Sequence, residues 1–387
     1  MNAPATGRRG TPDFLLLILT LILVGFGIVM VFSASSSMTA VMEKFNNDPM
    51  YFTRRQLMFA GTGTVMMLIL MNIRYERYKV WFAPFLLITL ILLVAVLFTE
   101  GINSARSWIV LGPFSIQPTE FAKIALILYL AAIISKKQEK FREFKRGLLP
   151  ALLVSGLVTG LILLQPDLGS AAVLAAAVAV ILVVGGANLK HVALTGLALA
   201  GAGGMLLSVY LLLNPGFDGG FRMDRLIAFR DPFADAQGAG YQLLRSLEAF
   251  GHGGLTGTGL GNSVQKLFYL PYAYNDFIYA VIAEELGFIG ASMFILFYLF
   301  FLWRMLVVAL RCPDLFGTLV GVGMVTLVAV QALVNMGGVS GAIPITGVTL
   351  PFVSYGGSSL LSLMMGMGVL LSISREYNRL QGQDKSS

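Results

Sequence analysis

Five short stretches concentrate the chemically capable residues of an otherwise apolar chain. In AYNDFIYAVIAEELG, residues 273–287, Asp276 stands at the start of an apolar run and Glu284 and Glu285 lie within three turns of it. A carboxylate at such a helix mouth can take a proton from a hydroxyl, cap the helix or hold a cation, and the helix dipole favours its ionised form. The two glutamates lie about two to three turns deeper at roughly 1.5 Å per residue, too far for the same proton, and are expected to pair inside the bundle. In SIQPTEFAKIAL, Glu120 and Lys123 are three apart and share a helix face. They form a structural ion pair, or Lys123 meets an anionic group beside the N–H groups that Pro118 leaves free at the helix start. In LLQPDLGSA, Asp167 separates two apolar runs, as an N-cap, a site residue or both. The stretch 225–271 carries Arg230, Gln242, Arg245 and Lys266 among glycines that match neither the Walker loop nor the dinucleotide fingerprint. Its cations can meet a phosphate or simply face solvent. GAIPITGVTLPFVSYGGSSL, residues 341–360, combines two prolines and four glycines with hydroxyls that include Ser354 and Ser358. Non-helical backbone at membrane depth is tolerated only where it is buried in protein or lines a cavity, so this stretch is expected to border a groove.

The elements that must position these residues can be read from composition. With 57% hydrophobic and 12% charged residues, the chain exceeds what a soluble core requires and is an integral membrane protein. Runs of the roughly 20 residues that cross about 30 Å of hydrocarbon recur throughout. Ten spans are expected, near 14–34, 56–73, 80–98, 119–135, 148–164, 168–186, 190–213, 276–303, 315–336 and 356–374. No strand-like alternation appears, so the class is an all-α polytopic bundle and not a barrel. The chain divides into a tail 1–13, seven spans to 213, a large extracytoplasmic loop 214–275 between helices 7 and 8, three further spans 276–374, and a tail 375–387. That loop contains Phe221, Phe229, Phe233, Tyr241, Leu243 and Phe250, enough apolar surface for short or re-entrant helices packed on the bundle.

Lysine and arginine set the orientation. The cluster Lys136, Lys137, Lys140, Arg142, Lys145 and Arg146 falls on the side of Arg8, Arg9, Arg74, Arg77, Lys79, Lys190, Arg304, Arg311, Arg375, Arg379 and Lys385, whereas the opposite short loops hold Lys44, Arg54, Arg55 and Arg106. Both termini are expected in the cytoplasm, and the first span is expected to remain as an anchor rather than be cleaved. The net charge of +7 is then a matter of topology; no nucleic-acid partner is expected, since the basic residues form no contiguous stripe. One cysteine, Cys312, precludes an internal disulfide, and with only His191 and His252 a histidine-rich metal site is excluded. Along the eighth span Ala280, Ala283, Gly287 and Gly290 form a small-residue stripe on the face of Asp276, suited to close helix packing.

The phrases RSWI…IQPTEFAK, QPDLGSA, RDPFADAQGAGYQ, GGLTGTGLGNSVQK, LPYAYNDFIYAVIAEELG and PITGVTLPFVSYGGSS resemble the signature blocks of the SEDS family (shape, elongation, division and sporulation), across all ten expected spans. They are closer to its FtsW and SpoVE branch than to RodA. The resemblance implies a peptidoglycan glycosyltransferase that polymerises lipid II at the outer face of the bacterial cytoplasmic membrane. The implied partners are a class B penicillin-binding transpeptidase and membrane proteins of the divisome or elongasome. The family's essential aspartate falls on Asp276, as general base of an inverting transfer. Substrate contacts are then expected from Arg106, Gln117, Glu120, Lys123, Asp167, Arg230, Gln242, Lys266, Ser354 and Ser358. Many family members carry an arginine directly before Trp-Ile, where this chain has Ser107 and moves Arg106 one position earlier. The pyrophosphate leaving group needs positive charge, which Arg106, Lys123 or Lys266 could supply, as could a divalent cation, Mg or Mn, between Asp276 and the lipid phosphates. Two other readings stand beside this one. A lipid II flippase would use paired ionisable residues deep in the bundle with an alternating-access repeat, and a scaffold that only recruits the transpeptidase would leave Asp276 unexplained.

Overall fold

The computed structural model describes residues 10–99, 106–112, 114–198, 201, 205, 228–238 and 240–384. Its principal helices are α1 (Phe14–Val41), α2 (Tyr51–Met71), α3 (Tyr78–Ala95), α4 (Pro118–Lys137), α5 (Leu149–Leu163), α6 (Leu168–Val184), α7 (Tyr241–Gly253), α8 (Ile278–Leu310), α9 (Leu315–Val339) and α10 (Gly357–Asp384). Of the expected seventh span, residues 190–198 are helical, and most of its remainder lies outside the described residues. So do the loop residues 214–227 with Phe221, and Arg8, Arg9 and Lys385. Among the described residues, seven helical stretches are long and apolar enough to cross a membrane by length and composition, and α6 is a shorter apolar helix. α2 falls outside that set because Arg54, Arg55 and Gln56 open it and glycines and threonines dilute its middle.

Local chemistry accounts for the helix starts. The Asp13 side chain accepts the Leu16 N–H at 2.9 Å and caps α1. Asp167 does the same for Ser170 at 2.9 Å on α6, and Pro118 occupies the first turn of α4, where its missing N–H costs nothing. The all-α expectation needs one correction. Ile109–Leu111 (β1) and Phe114–Ile116 (β2) form an antiparallel hairpin ahead of α4, with Val110 opposite Ser115. Gly112, at φ 62, turns the connection. Each strand has three residues, too short for its alternation to stand out in so apolar a chain.

α4 and α10 carry the densest core. On α10 Leu363, Met364, Met367, Leu370, Leu371 and Ile373 are all buried, while α3, α5 and α8 turn apolar residues such as Ile91, Leu157 and Leu296 outward. An apolar perimeter around an apolar core is what lipid surroundings require. α1 to α6 alternate direction, as do α8 to α10, so two ends can be named by their residues. At the Asp13 end, Arg304 of α8 binds Asp13 in a fork at 3.1 and 2.5 Å, and the Asp13 N–H donates to Ser374 of α10. There too Lys79 pairs with Asp314 at 2.8 Å, and Arg375 donates to the Gly10 carbonyl. The other end gathers the starts of α2, α4, α6, α8 and α10, the close of α9 and the segment 341–356.

α8 is not one continuous helix. Gly287 has φ 67 and ψ −173, and the chain between α7 and Asn262 enters the break. Thr258 and Gly259 N–H groups donate to the Glu284 and Glu285 carbonyls, and the Gly254 and Leu255 carbonyls accept from Phe288 and Ile289. The backbone groups freed by the break are thereby satisfied inside the protein. This corrects the continuous small-residue stripe. Ala280 and Ala283 are buried against neighbours, but Gly287 serves a chain crossing instead of a helix face.

Candidate functional site

Asp276 is half-buried immediately ahead of α8, whose N-cap position belongs to Phe277. The backbone that carries Asp276 is held at three consecutive carbonyls. The Tyr355 N–H donates to Tyr274 O at 3.0 Å, the Ser354 hydroxyl to Asn275 O at 2.7 Å, and the Asn335 amide to Asp276 O at 2.7 Å. The same Asn335 amide donates to Val348 O at 2.7 Å, and Ser354 Oγ accepts the Leu350 N–H at 2.8 Å. Gln56 of α2 closes the arrangement by donating to Ser354 O at 3.2 Å. The segment 341–356 is thus a buried irregular clamp whose polar groups are matched to the ledge before α8. Each such bond contributes about 1 kcal/mol net, and together they restrict where the Asp276 side chain can start from.

Aromatic rings surround this ledge. Phe52 stacks on Tyr274 at 4.2 Å and meets Tyr355 edge-on at 4.9 Å. Burial pushes the Tyr274 phenol above its ordinary value, and the neighbouring Tyr355, Tyr272 and Asp276 add to it. Burial also raises Tyr355, against a hydrogen bond from Arg55 that pulls the other way. Both phenols stay protonated at neutral pH.

The expected site residues divide into groups. Gln117 and Ser358 meet directly, the Gln117 N–H donating to Ser358 Oγ at 3.0 Å, and Ser358 donates onward to Ser115 O. Glu120 and Lys123 pair at 2.8 Å, almost fully buried, with Glu120 Oε2 lacking a partner. Asp167 caps α6 beside Thr346 and Val348 of the clamp, since Gly169 packs against both. Ser354 is buried within the clamp. Lys266 is drawn away from solvent, bonded to Glu285 at 2.8 Å and to Ser33 of α1 at 3.1 Å. Glu284 accepts from Ser263 at 2.5 Å and from the Val264 N–H at 2.9 Å, with His252 at 3.5 Å. Gln242 is half-buried in the first turn of α7, and Arg230 is exposed. Arg106 is exposed with its guanidinium 3.4 Å from Leu97 O, while Ser107, buried, donates to Gln165 O at 3.2 Å. The residue shift ahead of Trp108 thus sends the serine inward and the arginine outward.

Sequence reasoning passed over Asn335, Gln56 and Ser33. Their signal was present: a carboxamide or hydroxyl inside an apolar span needs a buried partner. Among the described residues no group of three or more histidine, cysteine, aspartate or glutamate side chains could hold a metal ion. Asp276 by itself is not a metal site, and a cation there would take its remaining ligands from phosphate oxygens and water.

The family model for cell cycle proteins of the FtsW, RodA and SpoVE type matches residues 14–379. Stage V sporulation protein E of Bacillus subtilis is 43% identical over 380 residues, covering 97% of this chain and 100% of that protein. The probable peptidoglycan glycosyltransferase FtsW of Trichlorobacter lovleyi is 43% identical, over 95% of this chain and 94% of its own. The Thermus thermophilus rod shape determining protein RodA superposes with a TM-score of 0.67 at 30% identity, covering 94% and 97% of the two chains. A chain from a peptidoglycan synthase complex that coordinates polymerization and crosslinking superposes with a TM-score of 0.77 at 31% identity, covering 95% and 98%. With its motifs, its helical architecture and these relatives in agreement over nearly all its length, the chain belongs to the FtsW/RodA/SpoVE family, the SEDS proteins.

Proposed function

We propose that this protein polymerises lipid II into glycan strands at the outer face of the bacterial cytoplasmic membrane, with Asp276 as general base. In that reaction the 4-hydroxyl of an acceptor GlcNAc gives its proton to the carboxylate as its oxygen bonds C1 of a donor MurNAc. The C1–O bond to phosphate breaks with inversion, and undecaprenyl pyrophosphate leaves with the electron pair. The observation that carries the reading is the half-buried carboxylate on a backbone clamped at three successive carbonyls. Fixed placement of a base is what converts proton transfer into a rate gain of about a hundred- to ten-thousand-fold. The working partner is a class B penicillin-binding transpeptidase, together with divisome or elongasome membrane proteins. A divalent cation, Mg or Mn, would be held by Asp276 and would offset the charge of the leaving phosphate, and no step above depends on it.

A second reading, lipid II transport, draws support from the buried ion pairs Glu120–Lys123 and Lys266–Glu285 and from the broken α8. One experiment separates the two. Purified protein with its transpeptidase and labelled lipid II should make moenomycin-insensitive polymer, and Asp276→Asn should lower the rate about a hundred- to ten-thousand-fold while leaving expression and complex formation intact. Asparagine keeps the shape and loses the charge. Near-normal polymer from Asp276→Asn would remove the carboxylate from the chemistry.

A further inference from the structure

The proposed reaction expels a pyrophosphate, and of the three cations expected to receive it Arg106 is exposed against the Leu97 carbonyl while the other two are engaged elsewhere. Lys123 and Lys266 are 1% and 4% exposed and each is bonded to a glutamate at 2.8 Å. Arg245 pairs with Glu248 at 2.6 Å, and Arg54 with Asp48 at 3.1 Å. Arg55 differs from all of these. It is half-buried near the start of α2, and among the described residues no carboxylate lies within 4.0 Å of it. Its guanidinium sits over the Tyr51 ring, 4.6 Å from the centroid, and donates to the Tyr355 hydroxyl. A ring face and one phenol oxygen use only part of a five-donor fork, which remains charged at every relevant pH.

Its location compounds the imbalance. A helix N-terminus carries partial positive charge, so a cation there is disfavoured unless an anion offsets it. For Arg54 that anion is Asp48. For Arg55 the protein supplies none, and the adjoining start of α10 at Gly357, two residues beyond Tyr355, adds further N–H groups of the same sign. Meanwhile Arg55 is tied to the catalytic ledge. Tyr355, which accepts from it, donates its own N–H to Tyr274 O, two residues before Asp276, and the next residue, Gln56, donates to Ser354 O. Phe52 stacks on Tyr274 from the same turn of α2.

We propose that Arg55 is a phosphate-binding residue of this site, its fork receiving the pyrophosphate of the lipid-linked donor while the Tyr51 ring and the Tyr355 hydroxyl hold the guanidinium in place. The proposal rests on the glycosyltransferase reading for the identity of the lipid, and its test does not require turnover. Binding of undecaprenyl pyrophosphate to the full-length protein in nanodiscs is compared with binding of undecaprenol, in the Asp276→Asn background. Arg55→Gln and Arg55→Met should each weaken the pyrophosphate lipid about ten- to a hundredfold, the range for hydrogen bonds to a charged group, and leave undecaprenol unchanged. Met retains the apolar stem packing, so two variants of different shape guard against a folding failure. Tyr355→Phe, which keeps the arginine and removes its anchoring oxygen, should lose less in the same direction. Arg54→Gln should bind as the parent does. Unchanged pyrophosphate binding in the Arg55 variants, or an equal loss for both lipids, overturns the assignment. If the parent protein makes no polymer yet shows this Arg55-dependent binding, the phosphate site stands and the polymerase reading falls.

Discussion

Asn335 links two backbone stretches of the candidate site that lie far apart in the chain. Its amide joins the Asp276 carbonyl to the Val348 carbonyl, so the ledge and the clamp move together. Asn335→Ala should lower kcat about tenfold to a hundredfold with KM nearly unchanged, because a misplacement of about 1 Å can cost that much. In the Asp276→Asn background the same substitution should cost almost nothing more, since there is no base left to misplace. Multiplicative losses in the double variant would assign Asn335 to general stability instead. Asp276 and the Glu120–Lys123 pair were legible as charges in apolar spans, a pattern that lipid makes expensive. The role of Asn335 was not, because its partners stand 59 and 13 positions away along the chain and no local spacing encodes them. The surroundings of Lys266 were hidden for a related reason: no local spacing in its glycine-rich loop points to the Glu285 and Ser33 that enclose it.

At the scale of elements, the broken α8 is the feature that sequence periodicity hides. Two glycines face each other across the crossing. A Cβ on Gly287 would stand 2.2 Å from Gly257 N, and one on Gly257 would stand 2.2 Å from Glu285 O. Both have positive φ, 67 and 81, so an alanine at either is strained twice, by conformation at roughly 1–2 kcal/mol and by backbone contact. Gly287→Ala and Gly257→Ala should therefore each lower the thermal unfolding midpoint of the purified protein clearly. Gly25→Ala, within α1 with nothing near its Cβ, should leave it unchanged or raise it. Equal midpoints for all three would mean that the crossing carries no structural weight. Helix existence was readable from apolar run length almost everywhere, and the described ends fall mostly within a few residues of the expected ones. The break and the β1–β2 hairpin were not readable, since both depend on single glycines whose backbone angles only the surrounding chain decides.

For the whole molecule, charge sorts the two ends. Arg304, Arg375, Arg379 and Lys79 crowd the Asp13 end, as the positive-inside rule predicts for a cytoplasmic face, while Asp276 and its clamp occupy the other. In cells whose copy carries Cys312→Ser, an impermeant thiol reagent should label a cysteine placed at Asp235 and spare one placed at Lys140. The reverse pattern would invert the topology and remove Asp276 from the outer leaflet. The Asp13 cluster also has a bearing on biogenesis. α1 leaves the ribosome well before α8 and α10, since the groups that complete its start, Arg304 and Ser374, are made roughly three hundred residues later, and Gly27 packs against the backbone of Phe352 and Val353. Until then α1 waits with its cap carboxylate lacking the arginine that pairs with it. The arrival of α8 and α10 then locks the bundle, so a chain interrupted before Ser374 loses the seam that joins its earliest helix to its latest.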